Sequence, residues 1–165
     1  MTHDARMRLR VGVWWGCVGL WAAFIFFMSA HTGSDLDDGQ GIVAAIKRFL
    51  SSVAAPVFGP GVDVVSPAAH FCEYAVFGAL LFAALWHTSR LRRGQQACFQ
   101  GRLWPLVIAA VIAASLYGAS DELHQYFVPG RACDPIDWLV DTAGATLGAF
   151  FASLVVRRSR QDPQM

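Results

Sequence analysis

Ser120-Asp121-Glu122-Leu123-His124-Gln125-Tyr126-Phe127-Val128-Pro129-Gly130-Arg131, followed at once by Asp134, Asp137 and Asp141, lies between two apolar runs. The run before it, from about Leu103 to Ala119, and the run after it, from Pro135 to about Val156, are each long enough to cross a bilayer as a helix. Ionisable groups of both signs crowded between two such segments are costly in a membrane and are kept there for a purpose. The stretch therefore predicts two spanning helices with a polar site at their junction.

Working outward, the rest of the chain repeats the pattern. Of its 165 residues 55% are hydrophobic and 15% charged, a composition that departs from that of a soluble domain and makes the bilayer the expected solvent. Val11 to Met28 carries no charge and follows Arg6, Arg8 and Arg10, and the large Phe27 and Met28 are unsuited to signal-peptide cleavage, so a retained anchor is expected. A further span starts at Ser66-Pro67, read as an N-cap with proline at the first helical position, and runs to about Trp86. Between these two, Ile42, Ile46, Phe49, Leu50 and Val53 recur at helical spacing opposite Lys47 and Arg48. That pattern predicts a short amphipathic helix, lying on the membrane surface or covering the top of the bundle. The expected fold is an all-α integral membrane bundle in one domain over 1–165, with spans at about 11–28, 67–86, 103–119 and 135–156.

Charge distribution sets the orientation. Apart from Lys47, Arg48 and Arg131, every basic residue falls before the first span, in the loop after the second, or after the fourth. Positive flanks stay cytoplasmic, so both termini are expected inside and the acidic loops outside. The basic residues do not form a face with interleaved aromatics, so no nucleic-acid partner is expected. Cys17, Cys72, Cys98 and Cys133 have no metal-site spacing, and only Cys72 and Cys133 are placed to meet at one membrane face.

This topology brings the starts of spans two and four and the end of span three to the outer face. His70 and Glu73 share one face of span two at a spacing of three, Asp121 shares a face with His124 and Gln125, and Asp134, Asp137 and Asp141 recur at i, i+3 and i+7. Candidate catalytic residues are Glu73, Asp121, Glu122, His124 and Asp141, a carboxylate serving as general base and His124 as proton donor. Candidate substrate-binding residues are His70, Gln125, Arg131, Asp134 and Asp137, with Arg131 suited to an anionic head group. Two histidines among carboxylates also form a ligand set for a divalent metal, without an established spacing motif.

Structural roles compete with these. Asp134 before proline with Asp137 three residues on is a carboxylate capping box, whereas Asp141 lies too deep in its helix to cap it. Glu73 can pair with Arg131 or hold two helices together, the histidines can be satisfied bundle residues, and Ser120 is either a nucleophile beside His124 or a helix-facing hydroxyl. Gly144 and Gly148 form a small-xxx-small pattern along the Asp141 face, for packing within one chain or between two.

Several of these blocks together resemble the VanZ-like family of bacterial membrane proteins. The blocks are Phe27-Met28-Ser29-Ala30-His31-Thr32-Gly33-Ser34-Asp35; His70-x-x-Glu73; and Ser120-Asp121-Glu122-x-His124-Gln125 through Pro129-Gly130-Arg131 to Asp134-x-x-Asp137-x-x-x-Asp141-x-x-Gly144. The first departs from the family at Ala30 and His31, where a serine and a glutamine are frequent. The resemblance implies a multi-span helical protein and a link to low-level resistance to teicoplanin, a lipid-tailed glycopeptide. It implies no known reaction. Two functions from different classes follow: a non-enzymatic protein that changes how a lipoglycopeptide or its lipid-linked target is presented at the outer leaflet, or a membrane-embedded hydrolase or transferase of a lipid or glycan head group.

Overall fold

The computed structural model describes residues 2–30, 42–59, 65–93, 102–128 and 133–161. Five helices follow in chain order: α1 (His3–Ser29), α2 (Ile42–Phe58), α3 (Val65–Arg93), α4 (Trp104–Gln125) and α5 (Pro135–Gln161). Four of them, α1, α3, α4 and α5, are long and apolar enough to cross a membrane, over Asp4–Ser29, Val65–Arg92, Trp104–Gln125 and Pro135–Arg160. The all-α bundle of four spans plus a short additional helix agrees with the expectation from the sequence.

The helices overrun the predicted spans, because length and apolarity mark only the part inside the hydrocarbon. Residue α3 Val65 is already helical, so Ser66 and Pro67 sit in its first turn and Ser66 is not the N-cap. At about 1.5 Å per residue α3 is roughly 43 Å long, against about 30 Å of hydrocarbon. It is therefore longer than the hydrocarbon is thick, and His70 and Glu73 lie in its first three turns.

Sorting of side chains follows membrane rules. On α4, Val107, Ala110, Ala114, Gly118, Asp121, Glu122 and Gln125 are buried, while Ile108, Ile112, Leu116 and Leu123 on the opposite face are exposed. Small and polar groups thus face the protein and large apolar ones face outward, the arrangement that lipid as solvent favours. Along α1 the inward stripe is Trp14, Val18, Trp21 and Ile25, at alternating spacings of four and three.

Helix α3 is central and touches each of the other four. Its closest partner is α5. A Cβ on Gly144 would overlap the Phe71 carbonyl, one on Gly148 the Ala75 carbonyl, and one on Gly78 of α3 the Ala145 carbonyl. Only glycine admits this approach, so the small-xxx-small pattern packs within one chain. Polar links join α1 to its neighbours: Trp21 Nε1 donates to the Glu73 carbonyl (2.9 Å), Trp15 Nε1 to Thr88 Oγ1 (3.0 Å), and Tyr117 Oη to the Ala22 carbonyl (2.6 Å). α4 and α5 are joined by Trp138 Nε1 donating to the Ser115 carbonyl (3.0 Å) and by the Ser115–Thr142 hydroxyl pair (2.9 Å).

Helix α2 is longer than the predicted stretch and continues through Pro56. Its Phe49, Leu50 and Val53 are 66%, 45% and 60% exposed, so these residues do not cover the bundle and are free to meet the membrane surface. Cys17, Cys72 and Cys133 are free thiols; the two that were placed to meet, Cys72 and Cys133, are both exposed and unbridged.

Candidate functional site

Three helices deliver the site. The inward stripe of α1 ends at Ser29, α3 contributes Ser66, Ala69, His70 and Glu73 from its first turns, and α4 contributes Asp121 from its last. With Ile25 and Met28 of α1 they line a cavity of about 90 Å³, room for a few waters or one small polar group.

Asp121 is buried because the inner face of α4 carries it there after Ala114 and Gly118. One of its oxygens, Oδ2, accepts from Gln125 Nε2 at 3.2 Å, a spacing of four on the same helix. Its Oδ1 has no aligned hydrogen bond among the described residues, although the Ser29 hydroxyl stands close enough to interact with the carboxylate.

Asp141 lies on the other side of His70. Its carboxylate is fully buried, and Oδ1 stands 3.3 Å from His70 Nδ1, across the α3–α5 seam that the glycines permit. The contact is at ion-pair distance but misses hydrogen-bond alignment. Asp141 Oδ2 abuts Gly118, and the Tyr74 ring lies on the same glycine. The Tyr74 hydroxyl, one helical turn beyond His70, is buried with no hydrogen-bond partner among the described residues. Asp121, His70, Asp141 and Tyr74 thus form a continuous buried polar core at one end of the bundle.

Other expected residues take different places. Glu122 is buried, and its Oε2 accepts from the Asp134 backbone N–H at 2.9 Å, clasping the end of α4 to the start of α5. Asp134 Oδ1 accepts from the Ile136 N–H at 2.8 Å, so Asp134 caps α5 as the structural alternative predicted. Asp137 is half-buried and does not line the cavity. His124 is also absent from the cavity wall: its ring stacks on Phe26 of α1 with centroids 4.5 Å apart. A residue three positions from Asp121 points about 60° to one side of it, and here that side is α1. The histidine held against a carboxylate in this core is therefore His70. Ser120 is exposed, and its hydroxyl donates to the Tyr117 carbonyl at 2.7 Å, the contact of a helix-facing hydroxyl. Arg131, with Pro129 and Gly130, lies outside the described residues.

Sequence reasoning assigned no role to Ser29, Tyr74 or Gly118. Each had a signal: Tyr74 is four residues after His70, Gly118 three before Asp121, and Ser29 continues the α1 stripe four residues after Ile25.

Among the described residues no group of three or more His, Cys, Asp and Glu side chains is placed to hold a metal ion, the minimum number of protein ligands in a catalytic zinc site. What the cavity offers is hydrogen-bond acceptance and an acid–base pair. Among the described residues, Glu73 and Asp121 at its wall and Asp141 behind His70 outnumber the one histidine, a set rich in hydrogen-bond acceptors.

Four spanning helices with a buried acid-rich core at one end define a multi-pass helical membrane protein with a polar terminal site. The chain belongs to a family that fits this description: the model for VanZ/LLP1 matches residues 14–156, from the middle of α1 to near the end of α5. No curated protein and no solved structure matches the chain.

Proposed function

We propose that this protein works in a bacterial cell membrane with the polar core at the outer leaflet. There it engages the sugar- or amine-bearing head group of a lipid-linked envelope molecule, and one consequence is reduced action of a lipid-tailed glycopeptide such as teicoplanin. The arginine flanks support this orientation, and the VanZ/LLP1 match supports the envelope role. The observation that carries the reading is the acid-lined cavity where the ends of α1 and α4 meet the start of α3. Asp121 and Asp141 each keep an oxygen that no aligned hydrogen bond fills among the described residues, and such an oxygen can receive a donor from a ligand.

A susceptibility comparison tests it: a sensitive Gram-positive host carrying the wild type or Asp121→Asn at matched membrane levels, challenged with teicoplanin and with vancomycin, which lacks the lipid tail. Protection against teicoplanin alone, lost in the variant, is expected. No protection by the wild type overturns the resistance reading.

The His70–Asp141 contact favours a second reading, a membrane-embedded hydrolase or transferase of a lipid or glycan head group. A carboxylate holding one imidazole nitrogen leaves the other to move a proton. Turnover of a lipid-linked glycan by purified protein, abolished in His70→Gln, would select this reading; binding without turnover selects the first.

A further inference from the structure

At the far end of the bundle from the acid-rich core, the backbones of α1 and α5 do not approach each other among the described residues, and the space between them is floored by α3. The result is a groove of about 630 Å³. Its walls are apolar: Trp14 of α1; Val76, Leu80 and Ala83 of α3; Ala152 and Val155 of α5. From Val76 to Arg90 the floor runs 14 residues, about 21 Å at 1.5 Å each. One leaflet contributes about 15 Å of hydrocarbon, so the groove covers an acyl chain and reaches the head-group level.

The mouth is cationic. Arg90 and Arg160 both line it, and their guanidinium carbons lie 5.8 Å and 4.3 Å from the Trp86 ring centroid, which holds the two charges around one indole. Next to them His87 stacks on Trp14, with centroids 5.7 Å apart, and Arg10 and Arg90 are close enough to His87 to interact with it electrostatically. The Trp15–Thr88 hydrogen bond pins α1 to α3 beside this mouth.

An apolar trough that opens sideways into a bilayer and ends in arginines fits one class of molecule. We propose that the groove binds an anionic phospholipid of the leaflet at the arginine-rich end, its acyl chain along α3 and its phosphate between Arg90 and Arg160. A second copy of this chain is the weaker occupant, because a two-fold interface would bring both sets of arginines together.

The test uses the purified full-length chain, offered phosphatidylglycerol and phosphatidylcholine with identical acyl chains in equal amounts, with retained lipid counted by native mass spectrometry. The expected result is one phosphatidylglycerol held in preference. That preference falls about thirtyfold in the double variant Arg90→Gln/Arg160→Gln, from the contribution of a surface arginine near an anionic lipid, and survives in Arg90→Lys/Arg160→Lys. Ala83→Trp, which fills the floor, is expected to lose both lipids while staying monomeric. Equal retention of the two lipids by the wild type overturns the proposal. So does an unchanged preference in the glutamine variant, or a wild-type dimer that Ala83→Trp dissociates. If the tryptophan variant does not fold, the paired glutamine and lysine variants still decide.

Discussion

A single methyl group added at Gly148 should force α5 off α3. The new Cβ would overlap the Ala75 backbone carbonyl, an atom that moves only if α3 moves with it. Overpacking costs about 1–3 kcal/mol, and a rigid backbone obstacle puts this site in the upper half, about 2–3 kcal/mol. Alanine returns up to about 1 kcal/mol of helix propensity over glycine. The net loss is about 1–3 kcal/mol, a factor of about 5–150 in the folding equilibrium. Gly16 of α1 supplies the control, because a Cβ there meets nothing within 4 Å and alanine should be neutral or stabilising. Unfolding of both variants in mixed detergent and SDS micelles, followed by helical circular dichroism, reads the difference. Gly148→Ala as stable as the wild type, with Gly16→Ala no different, would refute the close α3–α5 seam and with it the His70–Asp141 contact across that seam.

Asp134→Ala removes the Ile136 cap and should cost about 1 kcal/mol in the same unfolding assay, with teicoplanin protection retained at matched protein levels. Trp138→Phe removes the indole bond to the Ser115 carbonyl, an effect of about 1 kcal/mol on stability. Cys133, exposed before α5, should react with a membrane-impermeant maleimide in intact cells, whereas labelling only after lysis would reverse the proposed orientation.

The spans were legible because apolar length is a one-dimensional signal, and the bilayer imposes it on every crossing helix. Asp141 was singled out correctly as too deep to cap, and the structure buries it completely. Its partner was not legible, because the His70 contact depends on how closely α3 and α5 approach, and that is set by Gly78, Gly144 and Gly148 on two different helices. His124 shows the limit of spacing arguments. Three and four residues from Asp121 are both near neighbours on a helix, yet Gln125 turns toward the carboxylate and His124 toward Phe26, a choice made by where α1 lies. Glu122 reads as part of the motif in sequence, but its position at a helix end makes it the clasp on Asp134. Tyr74 reads as one more bulky apolar residue, and only its burial beside Asp141 and Gly118 shows that its hydroxyl belongs to the polar core.

The central claim is that the buried polar core receives a ligand and is not an internal joint. Thermal stability and teicoplanin protection, measured together for Asp121→Asn and Asp141→Asn, test it most directly. A carboxylate kept for function costs stability, so the account predicts that protection is lost in both variants while Asp121→Asn, whose carboxylate has no histidine across a helix seam to lose, melts at or above the wild-type temperature. A fall in melting temperature that tracks the loss of protection in both variants would mean the carboxylates hold the helices together, and would contradict the account.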